Sequence, residues 1–367
     1  MSSTSLDGHD FKLGLFSPNC SGGLAMTTVA ERWDASWSAN LRLARLADDA
    51  GIDFVLPIAR WIGYDGASDF HRNVLEPIPW AAALLAATRR ITIFATVHTA
   101  FNHPVVSAKQ LATLDQVGGG RAGLNIVAGW NEPEYRAMGL RLPESHDERY
   151  ALAQEWWDHV HALWTREGTF DLPGRFFDLE GVESAPKPVR GTLPVINAGS
   201  SPQGRAFAAR NADFVFTGLR DPDDGADVVE QIRTAAKREH GRDVGVMTPA
   251  FAVCRPTRRE AEEYLRHYAE DNADWAAVDQ LMKLQGAHTE SFATEALRTF
   301  RPRFAAGHGA CPLIGSPDDV AEQIARYADA GLAGMTLSFV DYLGELEHFA
   351  AEVLPRLQRR GIRLPRA

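Results

Sequence analysis

The sequence predicts an α/β fold of the (β/α)8 TIM-barrel class, on three observations. Short apolar runs alternate with longer amphipathic runs along the chain, the order expected of parallel strands joined by helical crossovers. Eight such units in 367 residues suit one barrel domain over residues 1–367 better than a doubly wound sheet, because no GxGxxG follows the first strand. The side chains able to do chemistry gather where strands end, and barrels place their active sites at C-terminal strand ends.

Phe11 to Pro18 is the first strand, and the Gly- and Ser-rich stretch Asn19, Cys20, Ser21, Gly22, Gly23 follows it. Glu31 to Ala50 has helical periodicity and closes at Gly51. Asp53 to Ile58 is the second strand. The loop from Ala59 to Pro77, with Arg60, Trp61, Tyr64 and His71, is too long for a bare connection, which usually marks function or flexibility. Trp80 to Thr88 is a helix, Ile91 to Val97 the third strand, and a helix runs through Gln116 after Asn102-His103-Pro104. The fourth strand, Arg121 to Val127, is apolar except for Asn125, as a strand buried on both faces should be. Gly129-Trp130-Asn131 breaks it. Ser145 with Glu148 three positions on makes a capping box and starts the helix that carries Arg149 and Tyr150 through Trp164.

A small β excursion follows at Phe170 to Phe177. Pro194 to Ala198, Asp213 to Thr217 and Val246 to Cys254 are strands five to seven, with helices over Pro202 to Asn211, Asp224 to Glu239 and from Arg259 onward. About 271–312 fits no standard unit and reads as an insertion and mobile lid. Asp318 to Gly331, Met335 to Val340 and Leu343 to Arg359 supply a helix, the eighth strand and a closing helix.

Acidic residues outnumber basic ones by 48 to 38, a net charge of −10, and no basic block tracks a phosphate backbone; nucleic acid is not an expected partner. The three cysteines, Cys20, Cys254 and Cys311, are far apart without a CxxC, which indicates neither a disulfide framework nor a thiolate zinc site. The polar start MSSTSLDGHD lacks a signal-peptide core, and no stretch approaches a membrane span. A soluble cytoplasmic protein is expected.

Gly199-Ser200-Ser201-Pro202 joins a strand to a helix whose free N–H groups and hydroxyls could hold an anion, although plain capping explains any Ser-Pro start. Gly315-Ser316-Pro317 has the same cap but puts Asp318 and Asp319 in the first turn, where they would repel a phosphate, so it reads as capping alone. No HExxH or GxSxG occurs, and His159 and His161 at i,i+2 do not face each other; no metal is expected. Trp61 and Trp130, in loops at strand ends, read better as a ligand wall than as core.

Several motifs in order resemble the bacterial-luciferase-like flavin-dependent monooxygenases, in the branch of dimethyl-sulfone monooxygenase and pyrimidine oxygenase. They run nearly the whole chain: Ser17 to Leu24 (SPNCSGGL), Ala108 to Asp115 (AKQLATLD), Gly119-Gly120-Arg121, Asn125 to Trp130 (NIVAGW), His146 to Tyr150 (HDERY), Pro186-Lys187-Pro188 and Leu313 to Pro317. The resemblance implies a TIM barrel and FMN, delivered as FMNH2 by a separate NAD(P)H-dependent flavin reductase, with O2 as co-substrate. Ala59, Arg60, Asn125, Glu134, Arg149, Tyr150 and Ser201 match flavin-contacting positions; the pattern has Lys where Arg60 stands, which keeps charge but changes donor geometry. Gly199, Ser200 and Ser201 with Arg149 and Tyr150 would capture the phosphate, in accord with the helix-end reading.

Thr96 and Asn125 match the two polar residues that place O2 beside flavin N5, which makes them the implied catalytic pair, acting through a flavin peroxide. The oxidised substrate would be a sulfone or sulfonate, or an electron-poor heterocycle or amide. Thr96 pulls toward the pyrimidine group and the Ser17 to Leu24 loop toward the sulfone group. Asn19, Cys20, Trp61, Tyr64, His98, Phe101 and Trp130 would wall the substrate pocket, and Arg301 and Arg303 could meet an anionic substrate. Homodimers or homotetramers are usual in the family. The rival readings are a deazaflavin (F420)-dependent dehydrogenase on the same barrel and a flavin-binding protein without turnover.

Overall fold

In the computed structural model, which describes residues 5–143, 145–199, 201–219, 221–285 and 294–364, the short apolar runs become the strands of a closed barrel. The strands are β1 (Lys12–Phe16), β2 (Phe54–Leu56), β3 (Thr92–His98), β4 (Ala122–Val127), β5 (Phe170–Leu172), β6 (Leu179–Val182), β7 (Val195–Asn197), β8 (Phe214–Phe216), β9 (Gly245–Cys254), β10 (Cys311–Gly315) and β11 (Gly334–Ser338). Parallel pairing runs β1, β2, β3, β4, β7, β8, β9, β11 and returns to β1. These are the eight strands of a (β/α)8 barrel. β5 and β6 form a separate antiparallel pair.

The helices are α1 (Trp37–Ala50), α2 (Pro77–Ala87), α3 (Pro104–Gly118), α4 (Glu132–Ala137), α5 (His146–Thr165), α6 (Pro202–Asn211), α7 (Asp223–His240), α8 (Arg258–Arg266), α9 (Trp275–Leu284), α10 (Thr294–Gly307), α11 (Pro317–Asp329), α12 (Tyr342–Glu352) and α13 (Leu354–Arg359). Three of the differences from the sequence reading have a local reason. α1 starts six residues later than Glu31, because Ala35 turns left-handed (φ 55°) and Ser36 caps the Ala39 N–H. The single closing helix is two, α12 and α13, with Pro355 in the first turn of α13, where a missing N–H is tolerated.

The third difference is β10, which occupies the end of a stretch read as irregular. Met247 pairs with both β8 and β11, and Ala250 with both β10 and β11, so β8 and β10 share one edge of β9. β8 reaches only as far as Met247. β10 covers the remaining edge, which would otherwise expose unpaired N–H and C=O groups.

Alternation sorts the strand side chains to two sides. Leu13, Leu15, Val55, Ile93, Ala95, Leu124 and Ile126 join the main core between barrel and helices. Phe54, Leu56, Phe94, Ile196, Phe216 and Met247 fill the bore together with Leu6. The Phe54 and Phe94 rings meet edge to face at 5.6 Å, as do Phe16 and Phe216 at 5.3 Å. Gly14 and Gly123 make room for them, since a Cβ would stand 2.4 Å from the Phe54 ring or 2.5 Å from that of Phe94. At this level the bore is filled mainly by apolar side chains, with Thr336, registered with Gly14, as a polar member, and further polar side chains gather above it.

A second apolar cluster lies at the strands' C-terminal side, where Leu24, Met26, Tyr64 and Phe70 pack with Phe251, Leu281, Met282 and Phe304. It binds the loops after β1 and β2 to α9 and α10. Asp274 caps α9 and also accepts the Ser68 N–H at 2.7 Å, while the Asp274 N–H donates to Met26 O at 2.9 Å. Among the described residues no helix is long and apolar enough to cross a membrane.

At the other end of the barrel, Asp53 is fully buried and Arg363 4% exposed, with Nη1 2.6 Å from Asp53 Oδ2. Asp53 also accepts the Leu13 N–H at 2.8 Å and lies 2.7 Å from His9 Nδ1. The pair ties the last turn of the chain to β1 and β2. Removing one partner leaves an uncompensated buried charge, so Arg363→Ala is expected to lower unfolding free energy by about 3–5 kcal/mol. Urea titration followed by circular dichroism checks it; an unshifted midpoint would show that water already solvates the pair.

Candidate functional site

Parallel pairing sets Thr96 of β3 directly beside Asn125 of β4. Phe94, Thr96 and His98 alternate with the core residues Ile93, Ala95 and Val97, so Thr96 and His98 stand on the bore side, above the Phe94 layer. The Thr96 hydroxyl donates to Pro57 O at 2.5 Å and accepts from Asn125 Nδ2 at 3.1 Å. Asn125 is 7% exposed and its Oδ1 has no partner. A buried acceptor left so costs about 1–3 kcal/mol, which a ligand or water must offset.

Arg60 follows β2 and Glu134 lies on α4 beyond β4. Nη1 of Arg60 is 3.1 Å from Glu134 Oε1, with the side chains 4% and 0% exposed. The approach is an ion pair without hydrogen-bond alignment, since Arg60 Nε and Nη1 and Glu134 Oε2 remain without hydrogen-bond partners. Glu134 Oε1 is held instead by the Trp61 N–H at 2.8 Å. The guanidinium also lies 5.0 Å from the Trp130 ring centre and 5.5 Å from that of Tyr64. Gly129 lets this loop close: φ is 105°, and a Cβ there would fall on the Tyr135 hydroxyl, which donates to Ala128 O at 3.0 Å.

Ala59, 5% exposed, hydrogen-bonds His98 through its backbone. The His98 ring stacks on Phe101 at 5.0 Å and 6°, and Phe101 meets Tyr135 edge to face at 4.7 Å. Burial, with the Arg60 charge added, pulls His98 down to about 3 and partly buried His308 to about 4, and holds His71 well below the ordinary value. Burial pushes the Tyr64 phenol up to about 12. These rings are neutral at ordinary pH.

A second group of predicted residues meets at the start of α6. Ser201 caps α6 by accepting from Gly204 N at 3.1 Å, and Tyr150 hydrogen-bonds the Ser201 side chain beside Arg149. A Cβ on Gly199 would stand 2.5 Å from Gly204 Cα and 2.7 Å from the Tyr150 hydroxyl, so only glycine permits this approach. The first turn of α6 carries no acidic residue, whereas that of α11 carries Asp318 and Asp319, and Asp319 closes a capping box with Ser316. The α6 end can therefore accept an anionic group. Ser200 lies outside the described residues.

Other candidates have structural partners. Asn19 is fully buried, with Nδ2 donating to Ile58 O at 2.7 Å and Leu75 O at 2.9 Å while Oδ1 accepts the Ile58 N–H at 3.0 Å. It clamps the loops after β1 and β2 together. Cys20 beside it is fully buried, and burial raises its thiol to about 12, so it stays protonated. Trp61 is 42% exposed at the rim. Arg301 grips Asp279 with two bonds of 2.7 and 2.8 Å, and Arg303 donates to Ala310 O and Leu219 O, so both arginines are already engaged.

Sequence reasoning did not place His71 and His308 in the site. Both adopt left-handed backbone, φ 52° and 57°, uncommon for non-glycine residues. The length of the loop holding His71 was the one signal available. Among the described residues no group of three or more His, Cys, Asp or Glu side chains is placed to hold a metal ion.

The profile described as luciferase-like monooxygenase matches residues 11–334. The FMNH(2)-dependent dimethylsulfone monooxygenase of Pseudomonas fluorescens (strain Pf0-1) is 33% identical over 350 residues, covering 94% of this chain and 93% of that protein. Pyrimidine monooxygenase RutA of Methylorubrum extorquens (strain PA1) is 31% identical over 358 residues, covering 96% and 95%. The crystal structure of riboflavin lyase (RcaE) with modified FMN and substrate riboflavin superposes with a TM-score of 0.84 at 24% identity, covering 96% of this chain and 92% of that one; this likeness speaks to the fold.

The neutral histidines make acid stability a readout of burial at the site. Below pH 6.5 the unfolded chain takes up a proton that His98 refuses in the fold down to about pH 3. Stability therefore falls on acidification through that window, by about 1.4 kcal/mol per pH unit for each such histidine. His98→Phe is expected to flatten the slope between pH 6 and about pH 4 by one proton's worth, measured by denaturant titration at stepped pH. An unchanged slope would place His98 in contact with water.

Proposed function

The chain belongs to the luciferase-like monooxygenase family, and from that membership we propose that it is a two-component FMNH2-dependent monooxygenase. It would transfer one oxygen atom of O2 to a small organic substrate, a sulfone or sulfonate or an electron-poor heterocycle or amide. A separate NAD(P)H-dependent flavin reductase would supply FMNH2. The observation that carries this reading is the Thr96–Asn125 pair above the closed bore, with Asn125 Oδ1 buried and unpartnered.

The residues present fit the cofactor. Reduced flavin carries ring N–H donors, and Asn125 Oδ1 and Glu134 Oε2 are buried acceptors lacking donors. The phosphate would lie at the α6 start, held by Ser201, Tyr150, Arg149 and the Gly199 backbone, with Ser200 included in the proposal. Ala59 and Arg60 would flank the ring. When bound, the reduced flavin supplies the electrons that activate O2.

The hydrogen-bond directions divide the work of the catalytic pair. The Thr96 hydroxyl gives its hydrogen to Pro57 O, so it orients Asn125 and has none left to donate. Asn125 Nδ2 gives one hydrogen to Thr96 and carries a second, which can stabilise negative charge developing on oxygen. Neutral Tyr64, His98, Phe101 and Trp130 would form the wall of the substrate pocket and exclude water. The proposal extends to a single domain with about 271–312 as a closing lid, to a homodimer or homotetramer, as in the family it resembles, and to the cytoplasm, in line with three free buried thiols.

Anaerobic titration should show tight FMNH2 binding, and with reductase and substrate present O2 uptake should match product formed. Asn125→Ala is expected to lower that coupled oxygenation about 100-fold, while Thr96→Val, which only loosens Asn125, costs about tenfold. Intact coupling in Asn125→Ala would remove Asn125 from catalysis. Turnover with a deazaflavin and no O2 uptake would make the protein a dehydrogenase.

A further inference from the structure

The chain carries a net charge of −10, yet the phosphate monoester of FMN bears about −1.5 to −2 at neutral pH. The field of the whole molecule therefore opposes the approach of its own cofactor. A cavity beside α5 carries the opposite sign. Its volume is about 490 Å3, and it is lined by Glu132 and Arg136 of α4, Arg141 and Leu142 of the following loop, and Arg149 in the first turn of α5. Three guanidiniums against one carboxylate leave a surplus of two positive charges. Glu132 meets Arg136 only at 3.7 Å and both are exposed, a solvated pair that binds neither group firmly. Glu148, next to Arg149, is taken up by Arg175 at 2.6 Å, and Asp147 of the same turn does not line the cavity.

Local structure holds the arginines in this arrangement. Glu134 and Tyr135 turn inward, bonded to the Trp61 N–H and to Ala128 O, which leaves Arg136 on the exposed side of α4. Arg149 Nε donates to Pro143 O at 2.5 Å and draws the loop with Arg141 against α5. The neighbouring Tyr150 hydrogen-bonds Ser201 at the cap of α6, within the field of Arg149. The cavity thus borders the end of the site that can accept an anionic group.

We propose that Arg136 and Arg141 are a steering site for the phosphate of incoming reduced FMN, drawing it to the mouth beside Arg149 without touching it once it is bound. The inference rests on the FMNH2-dependent reading and adds to it the route by which the cofactor enters. Neither arginine matches a flavin-contacting position. Both are exposed, where a charge acts through water over about a screening length and adds little to any one contact. Gly199 and Ser201, at the start of α6, do not line the cavity, so capture and holding fall to different residues. Exposed charges at a rim set the association rate and its salt dependence, whereas buried, bonded partners set dissociation.

Anaerobic stopped-flow mixing with reduced FMN, or with reduced riboflavin, which has the same ring and no phosphate, separates the two roles. On the unaltered protein the association rate constant of reduced FMN is expected to fall about tenfold between about 0.01 M and about 1 M salt, as the screening length shrinks from about 30 to about 3 Å, while that of riboflavin stays level. The double variant Arg136→Gln, Arg141→Gln should slow association of reduced FMN about tenfold at low salt and turn its salt slope level or upward, the net negative charge then being unopposed. Its dissociation rate and both riboflavin rates should not change. Salt-independent association of reduced FMN with the unaltered protein overturns the steering site whether or not the variant folds, and so does a variant effect confined to dissociation or shared by riboflavin. No binding of either reduced flavin overturns the monooxygenase reading itself.

Discussion

The buried ion pair of Arg60 and Glu134 is the interaction on which the rest of the site depends. It links the loop after β2 to the helix after β4, across the strand ends that carry Thr96 and Asn125. Its stabilising worth is doubtful in isolation, because removing two charges from water costs several kcal/mol for each ion and a replacement by apolar residues is often no worse. Its effect on its neighbours is clearer. The positive guanidinium sits among His71, His98 and His308 and adds to burial in lowering all three. With Glu134 opposite, the centre of the site is close to electroneutral yet rich in directional donors and acceptors.

That centre is positioned by what lies beneath it. Phenylalanine rings from β1, β2, β3 and β8 fill the bore, so Thr96 and His98, one and two alternations above Phe94 on β3, stand over the apolar layer. Leucine at Thr96 would extend the apolar plug; a hydroxyl bonded to Pro57 O ends it. From above, the site is framed by the cluster in which Tyr64 and Phe70 pack with α9 and α10. The same aromatic loop thus takes part in both the site and the packing of the later helices. A change at α9 can reach His71 through Asp274 and Ser68 without touching the site itself.

Much of the barrel was legible because its signals are local. Apolar runs of strand length and periodic helices recur eight times, and the polar exception Asn125 in an apolar run marks a position where burial of an amide needs a reason. The pairing of Asn125 with Thr96 also follows from two adjacent strands. β10 was not legible, because Cys311-Pro312-Leu313 gains strand character only from the free edge of the ten-residue β9. The ion pair of Arg60 and Glu134 joins residues 74 positions apart, and no periodicity relates them. Asn19 shows the opposite failure: a polar residue at a strand end looked like a pocket wall, but its amide closes two loops through three backbone bonds.

The arginines bear on the charge the site can take. A barrel oxygenase acting on an anion needs a cation whose hydrogen-bonding face is open to it. Arg301 and Arg303 were the candidates by position, yet the first is bidentate to Asp279 and packs 4.1 Å over the Trp275 ring, and the second bonds two backbone carbonyls. Arg60 keeps unpartnered hydrogens but faces a carboxylate. An anionic substrate would have to draw Arg60 away from Glu134 and leave that carboxylate buried alone, whereas a neutral carbonyl can take the Nε hydrogen with the ion pair intact. With the ion pair intact, the charge balance of the site thus leaves Arg60 without a free charge to offer an anion.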